Sequence, residues 1–289
     1  MKIVPGPASI ELGRKIAHLI DVEVVPLTFK LFPDGESYLR LDGDIKGEEV
    51  VVVQTTSPPQ DTNLLQLLLL CDAVKELGAS EVTAVVPYLA YARQDKRFLQ
   101  GEAVSVNTVI ELIQSVGVDR LLTVNIHKEE VLERFDISAE SLSAMPLLAE
   151  YFLKRGLAGA FSLAPDRGAV ELVKETDAIL KGGFGWLKKE RDRITGEIKV
   201  EVEELEVRGR DVVVFDDIIS TGGTIATSVR ILKQQGARRV YAACVHPLLI
   251  GGAEEKIISS GAEDIVGTDC VPGKRGVVSV APLIAEALG

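Results

Sequence analysis

Continuous apolar runs separated by amphipathic stretches organise this chain. Val50–Gln54, Val82–Val86, Leu121–Ile126, Phe161–Ala164, Val212–Phe215, Val240–Val245 and Asp264–Val266 read as short strands. They lack polar alternation, which is the pattern of strands buried on both faces. Between them, Thr62–Leu77, Ser105–Ser115, Pro146–Lys154, Gly168–Leu180, Thr224–Gln235 and Gly252–Ser259 read as helices. Alternation of this kind predicts an α/β fold with parallel sheets covered by helices.

The pattern also repeats. "VVVVQTTSPPQDTNLLQL" beginning at Val50 and "VVVFDDIISTGGTIATSV" beginning at Val212 are both strand, polar loop and helix. Downstream, "LGASEVTAVVP" matches "QGARRVYAACVHP", a helix stop at Gly followed by a strand and Pro. Val53 to Pro87 spans 34 positions and Val214 to Pro247 spans 33. The spacing predicts a duplicated α/β unit with a boundary within Ile137–Pro146, hence domains of 1–145 and 146–289. The final segment, "VVSVAPLIAEALG", is expected to return to the first domain.

Composition narrows the function classes. The 289 residues carry a net charge of −11, which argues against bulk binding to nucleic acid or an anionic membrane. The start of the chain has no long apolar core of a secretory signal. The greasiest stretch, "LLQLLLLCDAV", is interrupted by Gln66 and Asp72 and is short of the ~20 residues of a spanning helix. Cys71, Cys244 and Cys270 are too far apart in sequence to suggest a metal knuckle or redox pair. A cytoplasmic protein is expected.

The most informative stretch is "DDIISTGGT", Asp216–Thr224, where two aspartates are expected to end a buried strand. A Gly-rich turn opening a helix presents free backbone N–H groups and the positive end of the helix dipole, a setting for phosphate. Gly222 and Gly223 allow close approach, and Ser220, Thr221 and Thr224 add hydroxyls. Asp216 and Asp217 would repel a phosphate but suit a sugar diol or water-bound Mg²⁺. The run therefore asks for a phosphorylated sugar, although either Asp alone could serve as a helix cap. No Gly-x-x-x-x-Gly-Lys-Ser/Thr sequence is present, so this is not a P-loop.

This loop resembles the phosphoribosyl-binding loop of the type I phosphoribosyltransferase fold. "FPDGE" (Phe32–Glu36), "YARQDKR" (Tyr91–Arg97), "NIHK" (Asn125–Lys128), "APDRG" (Ala164–Gly168) and "LKKER" (Leu187–Arg191) extend the likeness along essentially the whole chain. In this order they resemble the ribose-phosphate diphosphokinases, most of all the short archaeal members. The resemblance implies two tandem type I phosphoribosyltransferase-like (Rossmann-like) domains, Mg²⁺ as cofactor, and transfer of diphosphate from ATP to ribose 5-phosphate. It implies an ATP site from Phe32, Asp34, Gly35, Glu36, Arg93, Gln94, Asp95 and Lys96, with the first four coming from a neighbouring subunit. It assigns Lys189 and Arg191 to catalysis, and His127 and Asp166 to the metal. Ribose 5-phosphate would be held by Arg191, Asp216, Asp217, Ser220, Thr221, Gly222, Gly223 and Thr224. A homo-oligomer, a dimer or a multiple of dimers, is implied as well.

Without the resemblance, "FPDGE" reads as a turn, "LKKER" as a solvated charge run and His127 as a structural histidine. Two positions depart from the family pattern. Asn125 stands where many members carry Asp two residues before the histidine, and Ser220 stands where many carry Asp at the start of the phosphate loop. Two rival readings share the fold: a phosphoribosyltransferase that consumes PRPP, and a non-catalytic regulatory homologue.

Overall fold

The computed structural model describes the backbone of residues 1–191, 198–201 and 205–289, and the side chains outside 188–204. The chain divides into two compact units. One comprises Met1–Ser143, Cys270–Pro272 and Ser279–Gly289; the other comprises Ala144–Asp269 and Gly273–Val278.

In the first unit the sheet strands are β1 (Lys2–Pro5), β2 (Glu23–Val24), β5 (Glu49–Val53), β6 (Glu81–Val86), β7 (Arg120–Val124) and β8 (Ser138–Leu142). A separate antiparallel hairpin, β3 (Leu27–Leu31) and β4 (Ser37–Leu41), lies between β2 and β5 in the chain. The helices are α1 (Ile10–Leu19), α2 (Gln60–Glu76) and α3 (Ser105–Ser115). The sheet order is β2-β1-β5-β6-β7-β8, with every pair parallel.

The second unit repeats this plan. Its strands are β9 (Phe161–Ala164), β10 (Phe184–Trp186), β13 (Asp211–Ile219), β14 (Arg239–Pro247), β15 (Ile265–Thr268) and β16 (Gly276–Val278). A hairpin, β11 (Lys188–Arg191) and β12 (Ile198–Glu201), again follows the second sheet strand. The helices are α4 (Met145–Lys154), α5 (Val170–Leu180), α6 (Gly223–Gln234) and α7 (Ala253–Ser259). The order β10-β9-β13-β14-β15-β16 matches that of the first unit strand for strand, and the pairs are again parallel.

The valine runs make this architecture. Val50 and Val52 face the core cluster containing Leu67, Leu70 and Val74 of α2, while Val51 and Val53 are equally buried on the opposite face. In the second unit Val212 and Val214 pack with Ala226, Val229 and Leu232 of α6. Each such side chain contributes about 1.5–3 kcal/mol by leaving water. The last helix, α8 (Ala281–Leu288), packs on α1, and Arg120 Nη2 donates to the Ala287 carbonyl at 3.1 Å.

Three boundaries differ from the sequence expectation for identifiable reasons. The aspartates do not end β13. The strand runs through Asp216 and Asp217 to Ile219, because β14 offers partners as far as Pro247. β7 stops at Val124 rather than Ile126, because Asn125 turns to a left-handed φ of 39° and donates its N–H to the Leu142 carbonyl at 2.9 Å. α5 begins at Val170 rather than Gly168, since the Asp166 carboxylate accepts from Gly168 N at 2.9 Å and tightens Arg167–Ala169 into a 3₁₀ turn.

Candidate active site

In the second unit, β9 and β13 are parallel neighbours, with Leu163 opposite Val214. Their carboxyl ends bring Asp166 near enough to Asp216 to act on it electrostatically, at the edge where open α/β sheets take ligands. The two adjacent aspartates are pinned by the next backbone groups. Asp217 N donates to Asp216 Oδ1 at 3.0 Å, and Ile218 N donates to Asp217 Oδ1 at 2.8 Å. Although part of Asp216 reaches solvent, protein encloses its carboxyl closely. Burial, followed by the negative charges of Asp217 and Asp166, pushes its pKa well above the usual carboxylate range.

The turn that follows is open. Thr221 and Thr224 are exposed, and Ser220 and Gly223 are half-buried. Gly222 caps α6 with a φ of 71°, and a Cβ there would meet Ala253 O at 3.1 Å and Ile257 Cδ1 at 3.0 Å. Only glycine satisfies both the conformation and the space. A Cβ at Gly223 would meet nothing within 4 Å, so the backbone there is bare to an incoming group. The Thr221 carbonyl accepts from Lys256 Nζ at 2.8 Å. Nothing in the sequence marks Lys256, which sits in the ordinary helical charge run Glu254–Lys256.

The equivalent turn of the first unit is closed. Gln54, Thr55, Thr56 and Ser57 are buried and spend their polar groups internally. Gln54 Oε1 accepts from Ala8 N at 3.0 Å, and Thr55 N donates to Ser9 Oγ at 2.8 Å. Thr55 Oγ1 donates to the Cys270 carbonyl at 2.7 Å, Thr56 Oγ1 to the Tyr88 carbonyl at 2.8 Å, and Asn63 Nδ2 to the Ser57 carbonyl at 2.6 Å. Such a filled network leaves no room for a ligand.

The first unit presents its candidate residues separately. Arg93, Gln94 and Lys96 are exposed and Asp95 half-buried in the segment after β6. Gln94 Oε1 accepts from Ser105 Oγ at 2.6 Å, tying the segment to the start of α3. His127 is exposed just beyond β7, the parallel neighbour of β6. Phe32, Asp34, Gly35 and Glu36 form the tip of the β3–β4 hairpin. Phe32 stacks edge-on with Tyr38 at 5.9 Å, and Lys30 Nζ lies 5.0 Å from the Phe32 ring centre and 4.8 Å from that of Tyr38. Gly35 takes a φ of 98°, and the hairpin is tied to α2 by Gln66 Nε2 donating to Ser37 Oγ at 3.0 Å.

His127 thus belongs to one unit and Asp166 to the other. Lys189 and Arg191 lie on β11, paired with Val200 and Ile198, and their side chains fall outside the described residues.

Comparison with known proteins decides the family. Residues 1–117 match the N-terminal domain of ribose phosphate pyrophosphokinase, and residues 161–269 match the phosphoribosyl transferase domain. The chain is 40% identical over 292 residues to the ribose-phosphate pyrophosphokinase of Sulfurisphaera tokodaii, covering all of both chains. It belongs to the ribose-phosphate pyrophosphokinase family. The relative from Methanosarcina mazei is 43% identical over 290 residues, covering 100% of this chain and 95% of the relative. The crystal structure of phosphoribosylpyrophosphate synthetase from Mycobacterium smegmatis superposes with a TM-score of 0.88 at 29% identity, over 99% of this chain and 97% of that one.

As a ribose-phosphate pyrophosphokinase the chain is an enzyme with two phosphoribosyltransferase-type domains. Asn125 has a backbone role of its own in this family member: its left-handed conformation suits a short polar side chain. No cluster of three or more potential metal-ligating side chains is assembled among the described residues, and none of the helices among them is long and apolar enough to cross a membrane.

Proposed function

We propose that this chain transfers the β,γ-diphosphoryl group of ATP to the 1-hydroxyl of ribose 5-phosphate, giving PRPP and AMP for nucleotide biosynthesis in the cytoplasm. The 1-hydroxyl oxygen attacks the β-phosphorus, the bond from that phosphorus to the α–β bridging oxygen breaks, and the hydroxyl proton is released. The observation that carries the reading is the open turn at Ser220–Thr224 with Asp216 and Asp217 beside it. Its bare N–H groups and hydroxyls suit the 5-phosphate, and the two carboxylates suit the sugar hydroxyls. The full-length likeness to named pyrophosphokinases supports the same substrates.

The donor set fits Mg²⁺. Asp166 and Asp217 each act electrostatically on Asp216, a repulsion between hard oxygen donors that a cation would relieve, although no three such groups converge among the described residues. Mg²⁺ usually keeps several waters and shares its ligands with substrate phosphates, so a site of few carboxylates is consistent with it. When bound, the ion would supply charge neutralisation at the phosphoryl oxygens. Asp166 and His127 are the residues proposed to lie nearest it. Lys189 and Arg191 stabilise the charge on the group in flight, and Arg191 also contacts the sugar phosphate. Phe32, Asp34, Gly35, Glu36, Arg93, Gln94, Asp95 and Lys96 bind ATP, the first four in the site of a neighbouring subunit of a dimer or multiple of dimers.

Incubation of the purified protein with ATP, Mg²⁺ and ribose 5-phosphate, followed by ³¹P NMR, tests this. AMP and PRPP in equal amounts are expected. Consumption of PRPP with a nucleobase would point to a phosphoribosyltransferase, and no turnover with substrate still bound would point to a regulatory homologue.

A further inference from the structure

The peptide planes of the phosphate loop are set from outside it. Three successive carbonyls, those of Ile219, Ser220 and Thr221, accept from Leu249 N at 3.0 Å, Ile250 N at 3.1 Å and Lys256 Nζ at 2.8 Å. The first two anchors are backbone groups and survive any change of side chain. The third depends on one lysine. It holds the plane joining Thr221 to Gly222, the plane least able to hold itself. Rotating that plane changes the φ of Gly222, and glycine takes φ of either sign at little cost. In a trans peptide the C=O and N–H point in opposite directions, and Pro58–Pro59 is the cis bond recorded among the described residues. With the Thr221 carbonyl drawn to Lys256, the Gly222 N–H must face away from α7.

The base of this strut is rigid. Ala253 and Ile257 of α7 are fully buried and occupy the space where a Cβ at Gly222 would go. Arg275 ties α7 to the sheet, donating from Nε to Glu254 Oε1 at 3.1 Å and from Nη1 to Asp264 Oδ1 at 2.6 Å. Lys256 itself is exposed, so its bond is not needed to bury the helix.

We infer that Lys256 is a positioning residue for the sugar-phosphate loop: it locks the Thr221–Gly222 peptide in the orientation that offers the Gly222 N–H to the 5-phosphate of ribose 5-phosphate. The inference rests on the assignment of Ser220–Thr224 to that phosphate. Lys256 acts through the Thr221 carbonyl and touches no reacting atom, so its loss is felt in binding rather than in the chemical step.

The test uses the full-length protein with Lys256→Met, Lys256→Gln and Lys256→Arg. Calorimetric titration of ribose 5-phosphate should show affinity reduced on the order of ten-fold in the Met variant, the value of one charge-assisted hydrogen bond at an exposed site. The KM for ribose 5-phosphate should rise in step, with kcat and the KM for ATP nearly unchanged. Arg, which keeps both donor and charge, should restore affinity. If the Met variant does not fold, the Gln variant carries the same comparison against Arg. Affinity of the folded Met variant, or of the Gln variant in its place, within about two-fold of the unaltered protein would overturn the inference. So would a deficit that vanishes at about 0.5 M salt, which would make Lys256 a remote charge rather than a strut. A failure of the unaltered protein to bind ribose 5-phosphate would instead remove the loop assignment, and this role with it.

Discussion

Lys189 and the Asp216–Asp217 pair make opposite demands on the same reaction, and single substitutions separate them. Lys189 is proposed to act on charge that peaks during transfer. Lys189→Ala should therefore lower kcat on the order of 10²–10³-fold with little change in either KM, as loss of one such donor does elsewhere. Steady-state kinetics decide this; an unchanged kcat with a raised KM would make Lys189 a binding residue. The aspartates are proposed to read the ground-state sugar. Replacing both with Asn should weaken ribose 5-phosphate binding by about one to two decades per lost charge-assisted bond, with ATP affinity retained. Were they only structural, the melting temperature would fall and the affinity of the folded fraction would not. Titration calorimetry beside thermal melting separates the two outcomes.

The same strand that carries the aspartates into the site is held at its other end by a different carboxylate. Asp211 opens β13 and is nearly buried, with side-chain exposure of 6%. Arg239 donates to it at 3.0 and 2.7 Å; Arg238 donates at 2.9 Å from Nε and through a second close contact from Nη2. These bonds, Arg239 foremost, hold its pKa well below the ordinary carboxylate range. A carboxyl depressed on folding adds stability above its unfolded pKa of about 3.9 and loses it as pH falls toward the folded value. The melting temperature of Asp211→Asn should therefore lie below that of the unaltered protein at pH 7, and the gap should close as pH drops below about 4. A gap constant with pH would assign the effect to packing. Both arginines are substantially exposed, so solvent screens part of the gain.

Strands such as β13 and β6 were legible because a run of buried valines has few alternatives. β3 and β4 were not, since their side chains are half-exposed or exposed and give no apolar stripe. β1, four residues long, and α1, broken in pattern by a buried Gly13, were equally faint. The Gly-rich turn announced itself through chemistry, but the approach of Asp166 to Asp216 could not be read, because it follows from the pairing of β9 with β13 and not from spacing. Lys256 was missed for the same reason.

Two units with one strand order, each carrying a hairpin after its second sheet strand, point to a single ancestral plan whose copies diverged at equivalent places. One copy closed its turn with Gln54–Ser57, and its hairpin bears "FPDGE". The other kept its turn open, and its hairpin bears "LKKER". If the first hairpin completes the ATP site of a neighbouring subunit, an inactive Glu36→Ala chain and an inactive Lys189→Ala chain should regain activity when co-refolded, since some mixed assemblies contain an intact site. Assay after subunit exchange checked by native mass spectrometry is the measurement. Exchange without recovery would mean that each chain builds its site alone.

The return of Ser279–Gly289 to the first unit also sets the order of events on the ribosome. α8 covers α1 and follows the whole of the second unit in the chain, and Cys270, whose carbonyl Thr55 reaches, follows all of that unit but Gly273–Val278. During translation the first half emerges early but must wait, with part of its apolar surface uncovered, until the second half has been made. A chain cut short anywhere in the second unit would therefore lack α8 and leave the face of α1 that it covers open to solvent, although the core from Val4 to Phe135 lies wholly within residues 1–143.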